Sequence, residues 1–308
     1  MEEKKHILER PLIVCLGATL CCLLWGSAFP FVKIGFGRLN ISSADIPAEI
    51  LYAGLRFTLA GVMTIIIASC VKKRFVRPTA RAVPKIAALS LFQTILQYFF
   101  FYIGLSNTSG VKASVIEAAN VFVALAVSCL IFRMEKVTAA KIVGSIIGFA
   151  GVVLVNLGGM TMGFTLTGEG FILISTVAYA FSSVLMKKWS TEYDPLMLSG
   201  WQFLFGGIVM AAGGFIAGGR IHGFDGVSVI LLTYLAFVSS AAYSLWSSLL
   251  KHNPVSKISV YGFLNPVFGV ILSAVILGEA EQAFGWKSLA ALALVCVGVY
   301  IVSKPKKE

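Results

Sequence analysis

The chain has 308 residues, 58% of them apolar and only 13% charged, with a mean hydropathy of +0.89. Ordinary globular domains carry about 25% charged residues, so a water-soluble globule and a disordered chain are both excluded. The 25 Lys and Arg against 14 Asp and Glu leave a net charge of +11, but with so little polar surface the excess does not build a nucleic-acid-binding face. The composition is that of an all-α polytopic membrane protein, whose surroundings are the lipid bilayer.

A bilayer core about 30 Å thick takes roughly 20 apolar residues per helix. Ten such stretches follow in chain order, near residues 12–36, 48–71, 85–105, 111–132, 139–158, 170–189, 196–218, 228–250, 257–278 and 284–303. The spacing predicts ten transmembrane helices with short loops and no separate soluble domain. Pro11, Pro47, Pro84, Pro195 and Pro254 stand at or near helix starts, where the missing N–H costs nothing. The runs are continuous rather than alternating, which excludes a closed barrel. The first stretch is too long for a signal-peptide core and is expected to remain as a helix. All six cysteines lie within or at the ends of the stretches and show no metal-ligand spacing. They read as packing residues, and no cofactor or metal is expected.

Basic residues collect on the cytoplasmic side of short loops. With the N-terminus cytoplasmic, nineteen of the 25 Lys and Arg fall inside, five (Lys33, Arg38, Lys112, Arg220 and Lys287) fall outside, and Arg56 lies within a span. Both termini are therefore expected in the cytoplasm. The basic block from Lys72 to Lys85 reads as a topology determinant rather than a lipid- or nucleic-acid-binding patch.

The second half repeats the first. Ala53–Met63 (AGLRFTLAGVM) lies over Ser199–Val209 (SGWQFLFGGIV) at an offset of 146. Tyr98 falls on Tyr243, Lys112 on Lys257, Ser114 on Ser259, Asn120 on Asn265 and Ser128 on Ser273, all at 145. Gly151 falls on Gly298 at 147, and Trp25 on Tyr179 and Lys33 on Lys187 at 154. Each repeat holds an odd number of spans, so the second copy enters the membrane from the opposite side. Residues 1–158 and 159–308 are thus predicted as two inverted five-helix repeats, the plan of alternating-access carriers with a site near mid-bilayer.

Several segments resemble one known family. They are WGSAFPFVK (Trp25–Lys33), RFTLAG (Arg56–Gly61), GLSNTSGVKASVIEAANVF (Gly104–Phe122), EKVTAAKIVGSIIGFAGVVLV (Glu135–Val155) and FLNPVFGVILSAVILGE (Phe263–Glu279). In order and spacing they resemble the EamA-like branch of the drug/metabolite transporter superfamily. The resemblance implies a multi-pass carrier of small metabolites in the cell membrane, often an exporter. The fourth helix departs from the family pattern. Val121 stands where the second half has Pro266, and Glu117 lies one turn earlier.

A charge at mid-membrane is costly and calls for a reason. Arg56 and Glu117 are the two clear cases, at depths of roughly 13 and 10 Å from the same face at 1.5 Å per residue. They are expected to pair and to line a central cavity. Arg56 would hold a substrate carboxylate or phosphate; Glu117 would hold a cationic amine or carry a coupling proton. A purely structural ion pair is the other reading. His6, His222 and His252 all lie in loops or tails, which leaves Glu117 as the protonatable candidate. Trp25, Gln97, Tyr98, Asn120, Trp201, Tyr243, Tyr261 and Asn265 are expected to line the substrate path. Ser90, Gln93 and Gln97, and likewise Ser240, Ser244 and Ser247, form polar stripes that must face protein or water; helix packing explains the serines equally well. Gly26/Pro30 and Asn265/Pro266 are expected kinks.

A secondary carrier of small molecules follows, with no ATP-binding GxxxxGK[ST] loop. It is expected to export amino-acid-like or amphipathic compounds and to use protons as the coupling ion. The alternatives are an intramembrane enzyme and a structural or lipid-handling protein. The first would need a membrane histidine or clustered acids, and the second leaves Arg56 and Glu117 without a purpose.

Overall fold

The computed structural model describes residues 7–133, 136–156, 164–253 and 260–303, and all regular structure among the described residues is helical. In chain order the main helices are α1 (Pro11–Arg38), α2 (Ile46–Lys72), α3 (Val83–Ser106), α4 (Gly110–Ile131), α5 (Ala139–Asn156), α6 (Leu166–Trp189), α7 (Pro195–Ile216), α8 (Gly226–His252), α9 (Leu264–Leu277) and α10 (Trp286–Ser303). Seven of them, α1 to α4 and α6 to α8, are long and apolar enough to cross a membrane. The remaining three are apolar over shorter stretches. Lys257 and the start of the ninth expected stretch fall outside the described residues.

Local chemistry sets the helix starts. Asp45, Asp194 and Asp225 cap α2, α7 and α8 by accepting from the backbone N–H of Ala48 (3.1 Å), Met197 (2.9 Å) and Ser228 (2.7 Å). Pro11, Pro47 and Pro195 occupy first turns. α1 runs unbroken through Pro30.

Small residues let the helices close up. α2 packs along α7, where a Cβ on Gly54 would lie 2.1 Å from the Ala211 nitrogen and one on Gly207 2.3 Å from that of Thr58. α5 packs along α10. α1 lies against α8 and α9, and α6 against α3 and α4. The largest buried apolar cluster brings together side chains from these helices, including Phe57, Tyr102, Phe122 and Phe203.

α4 is interrupted. Its first segment ends at Glu117, Ala118 and Ala119 form a turn, and a second segment starts at Asn120. There Ala119 N–H donates to Ile116 and Phe122 N–H to Ala119, so the bonds skip one residue fewer than in an α-helix. At the matching place in the second half, a 3₁₀ turn over Val260–Phe263 leads into α9.

Candidate functional site

Arg56 is 2% exposed and each of its guanidinium nitrogens donates a hydrogen bond. Nε donates to the Leu235 carbonyl (3.1 Å), Nη1 to the Tyr102 hydroxyl (2.7 Å) and Nη2 to Ser239 Oγ (3.0 Å). Its central carbon stands 4.9 Å from the Phe57 ring centroid. One side chain on α2 therefore ties together α3 and α8 through hydrogen bonds to a charged donor, the stronger kind.

The expected ion pair between Arg56 and Glu117 is not formed. Similar depth does not make two helices neighbours: α2 packs chiefly on α7, whereas α4 packs on α9 and α6. Glu117 turns instead to its own helix, where Oε1 accepts from Asn120 Nδ2 at 2.6 Å across the break. Its other oxygen is buried without a hydrogen-bond partner, as is Asn120 Oδ1.

Around Glu117 the fold gathers aromatic and amide groups from both halves. Tyr98, Tyr179 and Tyr243 lie within electrostatic reach of its carboxylate. The Tyr98 and Tyr243 hydroxyls approach each other, and Gln93 stands beside Tyr243. Trp25 packs edge-on to Tyr243 (5.4 Å between centroids) and to Trp246 (5.2 Å). Trp25 Nε1, Gln93 Oε1, Gln97 Oε1 and Ser244 Oγ are likewise buried without hydrogen-bond partners. Buried polar atoms are ordinarily paired. These unpaired atoms lie on α1, α3 and α8, the first and last of which meet in the Trp25–Tyr243 contact.

The other expected residues lie elsewhere. Trp201 donates from Nε1 to the Val76 carbonyl (2.8 Å) and packs near Phe75, at the end of the bundle where α2 meets α3. Its neighbour Gln202 faces inward instead, accepting from Thr94 at 2.5 Å. Tyr261 joins the cluster of Val14, Ala18 and Leu249 at the start of α1. Asn265 lies near Cys22, about one turn along α1 from Trp25, with Oδ1 buried and unpartnered. Ser240 accepts from Thr64 (3.0 Å), and Ser90 donates to the Gln202 carbonyl (3.0 Å), so these serines serve helix packing.

The burial of three charged residues, a lysine and two acids, escaped the sequence reading. Lys112 Nζ lies 2.7 Å from Glu169 Oε1, with side-chain exposures of 5% and 3%, and Thr108 and Thr165 also donate to that carboxylate. Glu49 is fully buried in the first turn of α2. Both acids sit near span ends, where acidic side chains ordinarily reach water or a helix N-terminus. Sequence offered no signal that they would turn inward.

This helical bundle, with its polar core and interrupted helix, has the build of a multi-pass membrane transporter. The model of the EamA-like transporter family matches residues 12–157 and 166–304, and the chain belongs to that family, within the drug/metabolite transporter superfamily. Similar proteins include an uncharacterized transporter of Archaeoglobus fulgidus, 27% identical over 290 residues (93% of this chain, 97% of that protein). The uncharacterized inner membrane transporter YedA of Escherichia coli is 25% identical over 303 residues (95% and 94%). The uncharacterized transporter YvbV of Bacillus subtilis is 24% identical over 305 residues (92% and 90%). A protein of known crystal structure shares the fold with a TM-score of 0.63 at 19% identity, covering 92% of this chain and 95% of that one.

Proposed function

We propose that this transporter is a secondary carrier of the cell membrane that exports small amphipathic compounds, amine-bearing ones above all. It would work by alternating access between inverted halves 1–158 and 159–308. The observation that carries the substrate reading is Glu117, a buried carboxylate with one oxygen unpaired, at a helix break and within electrostatic reach of Tyr98 and of Tyr243, on which Trp25 packs. Carboxylate and aromatic faces together favour a cation. Each Arg56 nitrogen already donates once, to Leu235, Tyr102 and Ser239. An amino-acid carboxylate would find only the two remaining N–H groups of a side chain buried from solvent, which favours an amine over a zwitterion. Export rests on the family resemblance.

The pattern of packing supports the two-fold plan with ten spans. α2 meets its own repeat partner α7, and α5 meets α10; α1 against α8 and α9 is mirrored by α6 against α3 and α4. The ion pairs support the loop assignment. Lys72–Asp194 and Lys85–Glu192 join segments assigned to the cytoplasm, while Arg38–Asp225, Lys33–Glu279 and Lys112–Glu169 join segments assigned outside. Glu117 is also the proposed coupling site: as the substrate amine leaves, a proton takes its place on the same carboxylate.

The test is reconstitution in proteoliposomes with labelled organic amines and amino acids, with and without a pH gradient. Amine movement that responds to the gradient, and whose response disappears in Glu117→Gln, is expected. Unchanged pH dependence in Glu117→Gln would overturn the coupling role. Amino acids moving while amines do not would overturn the substrate reading.

A further inference from the structure

Glu49 takes no part in the site described above. It is completely buried, and neither of its carboxylate oxygens has a hydrogen-bond partner. The Ser106 side chain at the end of α3 lies beside it, but that hydroxyl donates to the Ile103 carbonyl at 3.0 Å. Tyr52, one turn further along α2, is equally buried and its hydroxyl is also unpartnered. On α1, a Cβ at Gly35 would fall 2.4 Å from the Tyr52 hydroxyl, so that glycine makes room for it.

Ser106 also borders a cavity of about 280 Å³ lined by Lys33, Phe36, Gly37, Ile41 and Ser43. The charged and titratable groups around Glu49 are Asp45 at the start of α2, Lys33 across the cavity on α1, and Tyr52 and Tyr102 toward the centre. Lys33 is directed to Glu279, at 3.8 Å, and Asp45 is spent on capping Ala48. None of the ion pairs among the described residues includes Glu49. A bare carboxylate buried without a donor or a cation is too costly to persist. A proton satisfies it with the least space, since the Ser106 hydroxyl and the Asp45 carboxylate beside it offer fewer oxygens than a metal ion coordinates.

Glu49, Tyr52 and Arg56 follow at i, i+3 and i+7 on one face of α2. Tyr102 meets both of the latter, at 6.5 Å between rings for Tyr52 and 2.7 Å for the Arg56 bond. The outer carboxylate is thus joined to the central guanidinium through packed aromatic residues.

We propose that Glu49 is a second proton-binding carboxylate, loaded from the outer cavity beside Ser106 and unloaded when α1 or α3 moves away from α2. Its part in coupling rests on the transport reading; its occupancy by a proton does not.

Infrared difference spectroscopy on the full chain in lipid nanodiscs tests the site without any substrate. At neutral pH the wild type is expected to show a protonated-carboxyl band with a component that is lost in Glu49→Gln and retained in Glu117→Gln. Glu49→Asp should keep that component at a shifted frequency, which separates loss of the group from loss of the fold. A band identical in wild type and Glu49→Gln would overturn the proposal, as would a component that responds to sodium rather than to pH. In proteoliposomes, Glu49→Gln is expected to weaken the response of transport to the pH gradient. An unchanged response overturns the coupling role, whereas a wild type that moves no substrate overturns the transport reading and leaves the infrared result standing.

Discussion

Arg56 donates from Nη1 to the hydroxyl of Tyr102 at 2.7 Å, and with two further bonds to α8 it spends its guanidinium on holding helices together. These bonds favour a structural role for Arg56 over the substrate-binding role expected from its depth. Its replacement removes several charge-assisted bonds at once, and each buried acceptor left unpaired costs about 1–3 kcal/mol. Arg56→Lys cannot reproduce a fork that reaches three acceptors. A marked fall in melting temperature in detergent is expected, while substrate KM in the remaining folded protein stays within about twofold, under 0.5 kcal/mol. A large KM change with unaltered melting would show that Arg56 touches substrate.

Lys112 and Glu169 form a buried pair between α4 and α6. Removing one partner leaves a buried charge, at a cost of about 3–5 kcal/mol. Lys112→Met alone and Glu169→Gln alone should each destabilise the protein strongly, and the double variant should recover much of the loss. A double-mutant cycle on thermal unfolding measures the coupling; additive losses would mean that the pair contributes nothing as a pair.

Under the proposed function, Trp25 belongs to the substrate path and Trp201 to the scaffold. Trp25 packs on Tyr243, near Glu117, whereas Trp201 hydrogen-bonds Val76 at the bundle end. A desolvated aromatic–cation contact is worth up to about 2 kcal/mol. Trp25→Ala should raise KM for an amine by about tenfold, and Trp201→Phe should leave KM unchanged. Equal effects from both would dissolve the distinction.

The α2–α7 contact admits no side chain at its crossing points. With a Cβ on Gly54 only 2.1 Å from the Ala211 nitrogen, Gly54→Val forces the helices apart. Overpacking of this kind typically costs about 1–3 kcal/mol and sometimes more. Reduced yield of folded protein in size-exclusion chromatography is the expected readout, with Gly37→Ala, which meets open space, as the neutral control.

Asp225 lies outside the spans, where Ser228 and the Arg38 guanidinium hold its carboxyl well below the usual carboxylate range. A depressed folded-state value contributes stability that is complete above the unfolded value, about 3.9, and is lost as pH falls through the folded one. The melting difference between wild type and Asp225→Asn should therefore be constant from pH 7 to about pH 5 and shrink only below about pH 4. A difference that stays flat down through pH 4 and below would show that the Ser228 and Arg38 contacts are not held.

Much of the fold was legible along the chain because a bilayer imposes length and polarity on each helix separately. Asp45 and Asp194 cap where Pro47 and Pro195 place starts. The break after Glu117 was not legible, since Glu-Ala-Ala-Asn contains no helix breaker; the break is set by how the segment packs. Among the residues named from the sequence, Glu117 meets Asn120, and Tyr243 meets Tyr98 and Trp25, because polar and aromatic groups that cannot face lipid have only the interior left. Trp201 and Tyr261 satisfy the same rule at the bundle ends, where the sequence does not distinguish interior from rim.

What the sequence determined by itself is the class of molecule and its grain. Lipid as solvent dictates apolar helices, while the uneven basic residues and the offset near 145 are the grounds on which orientation and repetition are proposed. What only the tertiary structure decided is which charges meet. Arg56 and Glu117 share a depth but sit on helices that pack on different partners, and Lys112, Glu169 and Glu49 turn inward from span ends. Depth is a property of one helix and can be counted along it. Pairing is a property of two helices, fixed by the small residues that let particular backbones approach.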